Sequence, residues 1–230
     1  MRLPNFPREQ LILLDGIRHA AETIQFALTR LQDSLTDIAL GQQSQSSTSI
    51  FSTPVFIDAW AVADAMHRFD TLYGMLTKQK KRGEAVIPEL EEINLLRNVD
   101  QHLATRVQYV VAHSNTALGI LSWLTVLPNA PDSMMSCMIR PGTAAPASWK
   151  LDINFPSAGE FIHPTFQVYL QSGQFRVELV SLAKIIAKKI AGLEEQIDKA
   201  IDAQGLRDQR CGIDQFSCVW LVPANEGQGT

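Results

Sequence analysis

The stretch PELEEINLLRNVDQHLATRVQYVVAHSN, Pro88 to Asn115, predicts the central helix of the fold. Pro88 suits the first position of a helix, where a missing N–H costs nothing. Glutamates at positions 89, 91 and 92 place negative charge beside the positive end of the helix dipole. With about 100° of rotation per residue, one face becomes apolar. This face contains Val99, Leu103, Val107, Val110 and Val111. We therefore predict one helix from Pro88 to Asn115.

A second face of this predicted helix collects side chains that can do chemistry. It contains Asn98, His102, Thr105, Arg106, Tyr109 and His113. The whole chain has only five histidines, so two on one face is a concentration that no other stretch matches. We therefore look for a functional site on this face.

Two further predicted helices carry heptad repeats of apolar residues, which are typical of helices that pack along a narrow seam. One runs from Arg8 to about Leu40 and ends at Gly41. Its seam is Leu14, Ile17, Ala21, Ile24, Leu28, Leu31, Leu35 and Ile38. The other runs from about Arg176 to Gln204. Its seam is Leu179, Ala183, Ile186, Ile190, Leu193, Ile197 and Ala200. The matching seams predict that these helices pack on each other or pair across a dimer.

The remaining predicted elements are one helix and several short strands. Thr53 to Gln79 predicts a helix that is the antiparallel neighbour of the 88–115 helix, because the connection is short. From Ala117 onwards, short β-prone runs alternate with Gly and Pro turns, which predicts an antiparallel β insertion at about 117–172. These runs are LGILSWLTVLP, SMMSCMIRPG, SWKLDINFP and TFQVYL. The run FSCVWLV predicts a last strand at about 216–222.

These elements predict a single domain over residues 1–230, mainly α in class. The helices, in 8–115 and 176–204, would form a four-helix bundle with long heptad-patterned terminal helices and a small antiparallel β insertion. The content of 46% hydrophobic and 19% charged residues is typical of a folded chain and not of a disordered one.

Charge and cysteine content narrow the possible partners and compartment. The formal net charge of -4 gives no general attraction to nucleic acid, so RNA binding would need a local basic patch. The longest apolar run, Ala117 to Leu127, is too short for a bilayer, and the first ten residues have no apolar signal segment. Cys137, Cys211 and Cys218 have neither paired nor metal-ligand spacing. We therefore expect a cytoplasmic protein with no membrane association, no metal and no cofactor.

Arg97, Asn98 and His102 form a group that could cleave RNA without a metal. A histidine with a pKa near 6.5 can take a proton from a 2′-hydroxyl or give one to a leaving oxygen. An arginine can hold the scissile phosphate through paired N–H donors and stabilise its developing charge. This pattern, an arginine, a polar residue and a histidine after four intervening residues within a helical bundle, resembles the HEPN superfamily.

The resemblance implies both a reaction and a biological setting. It implies that Arg97 and His102 are catalytic, with Asn98 as the polar neighbour that positions them. It also implies a metal-independent endoribonuclease that acts as a toxin or phage-defence component, works as a homodimer and has an antitoxin protein as a partner. The β insertion is not part of the minimal bundle of this superfamily.

The geometry of a straight helix constrains this interpretation. Arg97 and His102 would lie about 140° apart, so they do not share a face. They could converge if the cleft wraps around the helix or if a second protomer completes the site. His67 and Asp64, one turn apart on the preceding helix, could face His102, although an Asp64–Arg68 ion pair is the simpler role.

RNA contacts are expected outside the catalytic group as well. The densest basic cluster is Lys80, Lys81 and Arg82, and local positive charge is what binds an RNA backbone. Arg106 and Tyr109 extend the candidate RNA surface along the polar face. The alternative is a non-catalytic helical dimerisation or interaction module, in which these charges form surface ion pairs that contribute little.

Overall fold

The protein combines a helical body with one small sheet. The computed structural model describes residues 7–43, 53–79, 84–113, 116–127, 130–141 and 163–203. The helices in these ranges are α1 (Arg8–Gln43), α2 (Thr53–Thr77), a 3₁₀ turn (Pro88–Leu90), α3 (Glu91–Gln101), α4 (Leu103–His113) and α5 (Leu179–Ala203). The strands are β1 (Ile120–Leu127), β2 (Ala130–Ile139), β3 (Thr165–Ser172) and β4 (Phe175–Glu178).

Helices α1 and α2 form the largest helical contact of the described chain. Leu31 and Leu35 of the predicted heptad seam are buried and share one core with Phe56 and Met66 of α2. Ala20, Ala27 and Ala39 are buried beside the seam, so the buried face of α1 is wider than the prediction. The helices approach closely at Gly16, where an added Cβ would lie 2.9 Å from Leu72. Helix α1 continues through Gly41 to Gln43, so the prediction that Gly41 ends it is wrong.

A buried carboxylate sets the position of α3 against α2. Asp70, 4% exposed, accepts hydrogen bonds from the backbone N–H groups of Val86 and Ile87 at 3.1 and 2.8 Å. These bonds hold the chain immediately before the 3₁₀ turn that leads into α3. Side-chain contacts between α2 and α3 then run in opposite sequence directions, Asp64 to Arg97 and His67 to Asn94. The two helices are therefore antiparallel neighbours, as the short connection predicts.

The sheet has the strand order β2-β1-β3-β4, with every neighbouring pair antiparallel. Its central strand β1 is buried over six consecutive residues, Ile120 to Thr125, and Trp123 joins the helical core. The predicted β insertion therefore contains β1 to β3, whereas β4 follows it and precedes α5. The predicted strands SWKLDINFP and 216–222 lie outside the described residues.

A threonine at the start of β3 ties the sheet to α1. Thr165 is fully buried, and its hydroxyl lies 2.8 Å from the Thr36 hydroxyl on α1 and 2.7 Å from the Thr125 hydroxyl on β1. Its carbonyl accepts a hydrogen bond from the Gln32 side chain at 2.5 Å. These bonds satisfy polar groups that burial would otherwise leave unpaired.

The described chain is mainly α with a small antiparallel sheet, which confirms the predicted class, but its helices do not form a clear four-helix bundle. Helix α5 contacts α1, α2 and β3, and α1 packs chiefly on α2. The two heptad helices therefore do not pair along their full length. No helix in the described ranges is long and apolar enough to cross a membrane.

The predicted single helix from Pro88 to Asn115 is wrong, because the chain leaves the helix at His102. Helix α3 ends at Gln101 and α4 begins at Leu103. The predicted apolar face is divided in consequence: Val99 and Val110 are buried, whereas Val107 and Val111 are 51% and 59% exposed. The apolar periodicity of the sequence continues across His102, so the periodicity could not reveal the break.

Candidate functional site

The break at His102 is built by local hydrogen bonds. The His102 backbone has φ −106° and ψ 21°, and its N–H bonds to the carbonyl of Asp100 instead of continuing the helical pattern. Both the backbone N–H and the hydroxyl of Thr105 donate to the His102 carbonyl, each at 3.0 Å. His102 is therefore the C-cap of α3, and the straight helix of the prediction ends there.

Arg97 is positioned by a carboxylate of the neighbouring helix. Its Nε donates to Oδ1 of Asp64 at 2.5 Å. The Arg97 side chain is 26% exposed and that of Asp64 is 54% exposed. A charge-assisted hydrogen bond of this kind restricts the direction of the planar guanidinium. The structure therefore pairs Arg97 with Asp64, a residue on α2.

Asp100 adds a second carboxylate beside this pair. Burial raises the pKa of the Asp100 carboxyl, the charge of Asp64 raises it further, and the charge of Arg97 opposes the shift. The proton is therefore held more strongly than in a solvated aspartate. The group of Asp64, Arg97 and Asp100 contains two acids and one base, so the positive charge of Arg97 is opposed by carboxylates on both α2 and α3.

A second imidazole lies on the same α2–α3 seam. His67 Nδ1 donates to the Asn94 side-chain oxygen at 2.5 Å. His67 stands one turn from Asp64, and Asn94 one turn from Arg97, so the two polar pairs are neighbours along the antiparallel helices. The spacing of Asp64 and His67 along α2 singles them out, but it does not identify their partners on α3. Spacing within one helix does not give the register between two neighbouring helices.

His102 and Asn98 are both exposed. Within the described residues, no hydrogen bond involves the side chain of either one. Among the three predicted catalytic residues, only Arg97 is therefore held by a described side-chain contact. Exposed imidazole and amide groups at a helix junction are accessible to a ligand from solvent.

Tyr109 has a packing role in this structure. Its hydroxyl accepts a hydrogen bond from the Gln174 backbone N–H at 3.4 Å, and its ring lies 4.2 Å from that of His113. Gly173, with φ +59°, turns directly beneath it, and a Cβ there would lie 2.5 Å from the ring. Tyr109 thereby docks α4 on the β3–β4 turn. Its predicted contact with RNA stays a prediction.

The predicted basic contacts lie largely beyond what the structure describes. Lys80, Lys81 and Arg82 lie outside the described residues. Arg106 belongs to α4, but its side chain is likewise outside the description. The structure therefore brings together Arg97 and Asp64, and it leaves the basic cluster as a prediction from sequence.

Neither a low-pKa thiol nor a metal-binding cluster is found among the described residues. Burial raises the pKa of the Cys137 thiol to about 11, which keeps it protonated at neutral pH and weakly nucleophilic. Among the described residues, no group of three or more His, Cys, Asp or Glu side chains is arranged to hold a metal ion.

Comparisons of the chain with protein-family models, with curated proteins and with solved structures find no match. The site is therefore argued from its own residues, and the α2–α3 seam with the His102 junction is the strongest candidate among those described.

Proposed function

We propose that this protein is a HEPN-like, metal-independent endoribonuclease whose catalytic residues are Arg97, Asn98 and His102. The observation that carries the proposal is the helix break at His102. It places an exposed imidazole at the end of the same short helix whose next-to-last turn holds Arg97. An arginine fixed by Asp64 and a solvent-accessible histidine are two of the groups that the reaction requires.

The proposed reaction is an internal transesterification of RNA. The 2′-oxygen attacks the adjacent phosphorus, the bond from phosphorus to the 5′-oxygen breaks, and the products are a 2′,3′-cyclic phosphate and a free 5′-hydroxyl. One proton leaves the 2′-hydroxyl and one joins the leaving 5′-oxygen, so the proton count is balanced. His102 serves as one of these two proton-transfer groups.

Arg97 would stabilise the phosphate during this reaction. Its Nε already bonds to Asp64, so the phosphate oxygens would be met by the terminal guanidinium nitrogens. Asn98 would add a neutral hydrogen-bond donor beside it. The nearby carboxylates oppose phosphate binding, which favours a site that is completed by positive charge from Lys80, Lys81, Arg82 or Arg106.

The biological setting in this proposal comes from the family resemblance alone. It is a toxin or phage-defence ribonuclease of the cytoplasm, active as a homodimer, with an antitoxin protein as its partner. A second copy would supply the other proton-transfer group, because one His102 cannot be base and acid at the same instant.

The test is cleavage of a defined RNA by the purified full chain in EDTA. Wild type is compared with Arg97→Ala and His102→Ala, and with the matched controls Arg8→Ala and His19→Ala, which change exposed residues on α1. We expect cleavage by wild type and both controls, and its loss in the two site variants with folding unchanged. Absence of cleavage by wild type, or equal cleavage by all five proteins, would overturn the proposal.

A second candidate function, a non-catalytic helical dimerisation or interaction module, is favoured by a different observation. An apolar groove of about 990 Å³ lies between α1 and α5. The pairing of Arg97 with Asp64 also fits this alternative, because it already neutralises the guanidinium. The RNA cleavage test separates the two, since the module has no use for His102 in catalysis.

A further inference from the structure

Helix α5 has an apolar seam that the described chain covers only in part beyond its first turns. Its buried residues lie only in the first turns, namely Leu179, Val180, Leu182 and Ile186. Beyond them, the seam continues through half-buried residues, namely Ile190, Leu193 and Ile197. A heptad seam is the pattern by which a helix packs against another helix along its length. The outer part of α5 therefore has the pattern of a packed helix but is only half-buried in the described chain.

The seam of α1 borders the same opening. The α1–α5 groove, about 990 Å³, is lined on the α1 side by residues of its heptad seam and on the α5 side by the seam described above. The α1 seam residues in the groove are Leu14, Ile17, Ala21, Ile24 and Leu28. Small side chains on α5, Ala183, Ala187 and Ala191, leave room for a close approach. The shape and the period of this surface suit a helix.

The charges of α5 indicate which helix would pack in this groove. The first half, residues 179–191, contains Lys184, Lys188 and Lys189 and no acidic residue. The second half, residues 192–203, contains four acidic residues and one lysine. These are Glu194, Glu195, Asp198, Lys199 and Asp202. Glu178 caps the start of α5, because its carboxylate accepts hydrogen bonds from the N–H groups of Val180 and Ser181 at 3.0 and 2.6 Å. The lysines lie beyond the first turn, so the helix dipole does not account for this order.

The same order becomes favourable when two copies of α5 lie antiparallel. The basic half of each helix then faces the acidic half of the other, so the two-fold symmetry gives two such contacts. A two-fold axis near Ala191, the midpoint of α5, gives this arrangement. A foreign apolar ligand would use the groove but would give no reason for the charge order.

We propose that a second copy of this chain docks on the α1–α5 groove, with its α5 antiparallel to the first and the two-fold axis near Ala191. The interface is isologous, so the same surface is used on both copies. It lies on α1 and α5, so it is argued from residues other than those of the α2–α3 seam. Charge reversal and crosslinking test this interface without RNA, whereas RNA cleavage tests the ribonuclease.

The test is sedimentation equilibrium of the full chain with charge-reversed variants of α5. One variant carries Lys184→Glu, Lys188→Glu and Lys189→Glu, and the other carries Glu194→Lys, Glu195→Lys and Asp198→Lys. We expect a wild-type dimer that weakens with added salt, and a Kd at least about tenfold higher for each variant alone, because several opposed charges are made alike. An equal mixture of the two variants restores wild-type affinity as a heterodimer.

The controls separate this interface from a general charge effect. A variant with Arg8→Glu and Asp37→Lys changes the same kinds of charge on α1, outside the groove, and should dimerise like wild type. Circular dichroism verifies that each variant is folded. A monomeric wild type, variants that dimerise like wild type, or a mixture that fails to regain affinity would each overturn the proposal.

A second measurement does not depend on the charge variants. Ala191→Cys, at the proposed axis, should form a covalent dimer on mild oxidation, because the two Cα atoms would be within disulfide reach. Ser181→Cys, exposed at the start of α5, should not. Equal crosslinking of both variants and wild type, or no crosslinking at Ala191→Cys, would contradict the antiparallel pairing.

Discussion

Nε of Arg97 donates a hydrogen bond to Oδ1 of Asp64 at 2.5 Å, joining α3 to α2. This contact decides the orientation of the residue that the proposed function uses to hold phosphate. It also places a negative charge where a phosphate would compete for the same guanidinium. Asp64 is therefore a positioning residue. Its removal would leave the guanidinium less well oriented, which weakens its hold on phosphate, but it would also remove a competing negative charge.

We expect Asp64→Ala to lower the rate of RNA cleavage by roughly tenfold, because a guanidinium free to rotate holds the phosphate less well. The pair is partly exposed, so the free energy of unfolding should change by less than about 1 kcal/mol. Cleavage rates and urea unfolding measure the two effects, and Asp37→Ala on α1 is the control. A fully active Asp64→Ala protein would show that Asp64 does not position Arg97.

The raised pKa of Asp100 predicts a pH-dependent cost to stability. The folded protein holds this proton more strongly than the unfolded chain, so the stability contribution falls as pH rises from the unfolded value towards the raised folded one. We expect Asp100→Asn to increase the free energy of unfolding at pH 7 by less than about 1 kcal/mol, since the site is partly solvated.

The measurement for Asp100 is denaturant unfolding of wild type and Asp100→Asn at pH 7 and at a pH below the ordinary aspartate range. The gain should disappear at the lower pH, where Asp100 is protonated in both states. A gain that is the same at both values would assign the effect to packing and not to charge.

Thr165 is expected to be a sensitive position in the interior. Thr165→Val keeps the shape and the β preference of the side chain, but it leaves the hydroxyls of Thr36 and Thr125 without this partner. We expect a loss of about 1–3 kcal/mol in the free energy of unfolding, which is typical of disrupted buried hydrogen bonds. Thr29→Val, at an exposed position of α1, should change it by less than about 0.5 kcal/mol.

Gly173 and Gly41 should respond in opposite ways to alanine. Gly173→Ala adds a Cβ at positive φ, 2.5 Å from the Tyr109 ring, and we expect a loss of about 1–3 kcal/mol. Gly41→Ala adds a Cβ with no neighbour within 4 Å inside α1, and we expect a gain of about 0.5 kcal/mol or more. Thermal unfolding of both variants measures this, and equal effects would refute the packing of α4 on the β3–β4 turn.

The helices were predictable where the burial pattern follows one continuous helix. In α1 and at the start of α5, every seam residue is buried or half-buried, because each turn presents the same face to the core. The heptads do not predict the buried residues beside the seams, such as Ala20 and Val180. The end of α1 was not predictable from Gly41, since a glycine can remain helical when nothing else stops the helix. The strand order of the sheet was not available from sequence either, because local patterns carry no information on pairing.

The candidate site was predictable only in part. Arg97 and His102 stood out by residue type and spacing, but the break at His102 depends on the Thr105 bonds and on the docking of Tyr109 against Gly173 and Gln174. The Thr105 bonds are local and the Tyr109 contacts are tertiary, and apolar periodicity reveals neither of them. The pairing of Arg97 with Asp64 depends on the register of two helices, which no single-helix pattern gives.

The most direct test of the central claim is the chemistry of the RNA ends after incubation with the full chain in EDTA. The account predicts 2′,3′-cyclic phosphate and 5′-hydroxyl ends from wild type, and intact RNA with folded Arg97→Ala and His102→Ala proteins. Intact RNA with wild type, or the same products from both variants, would contradict it.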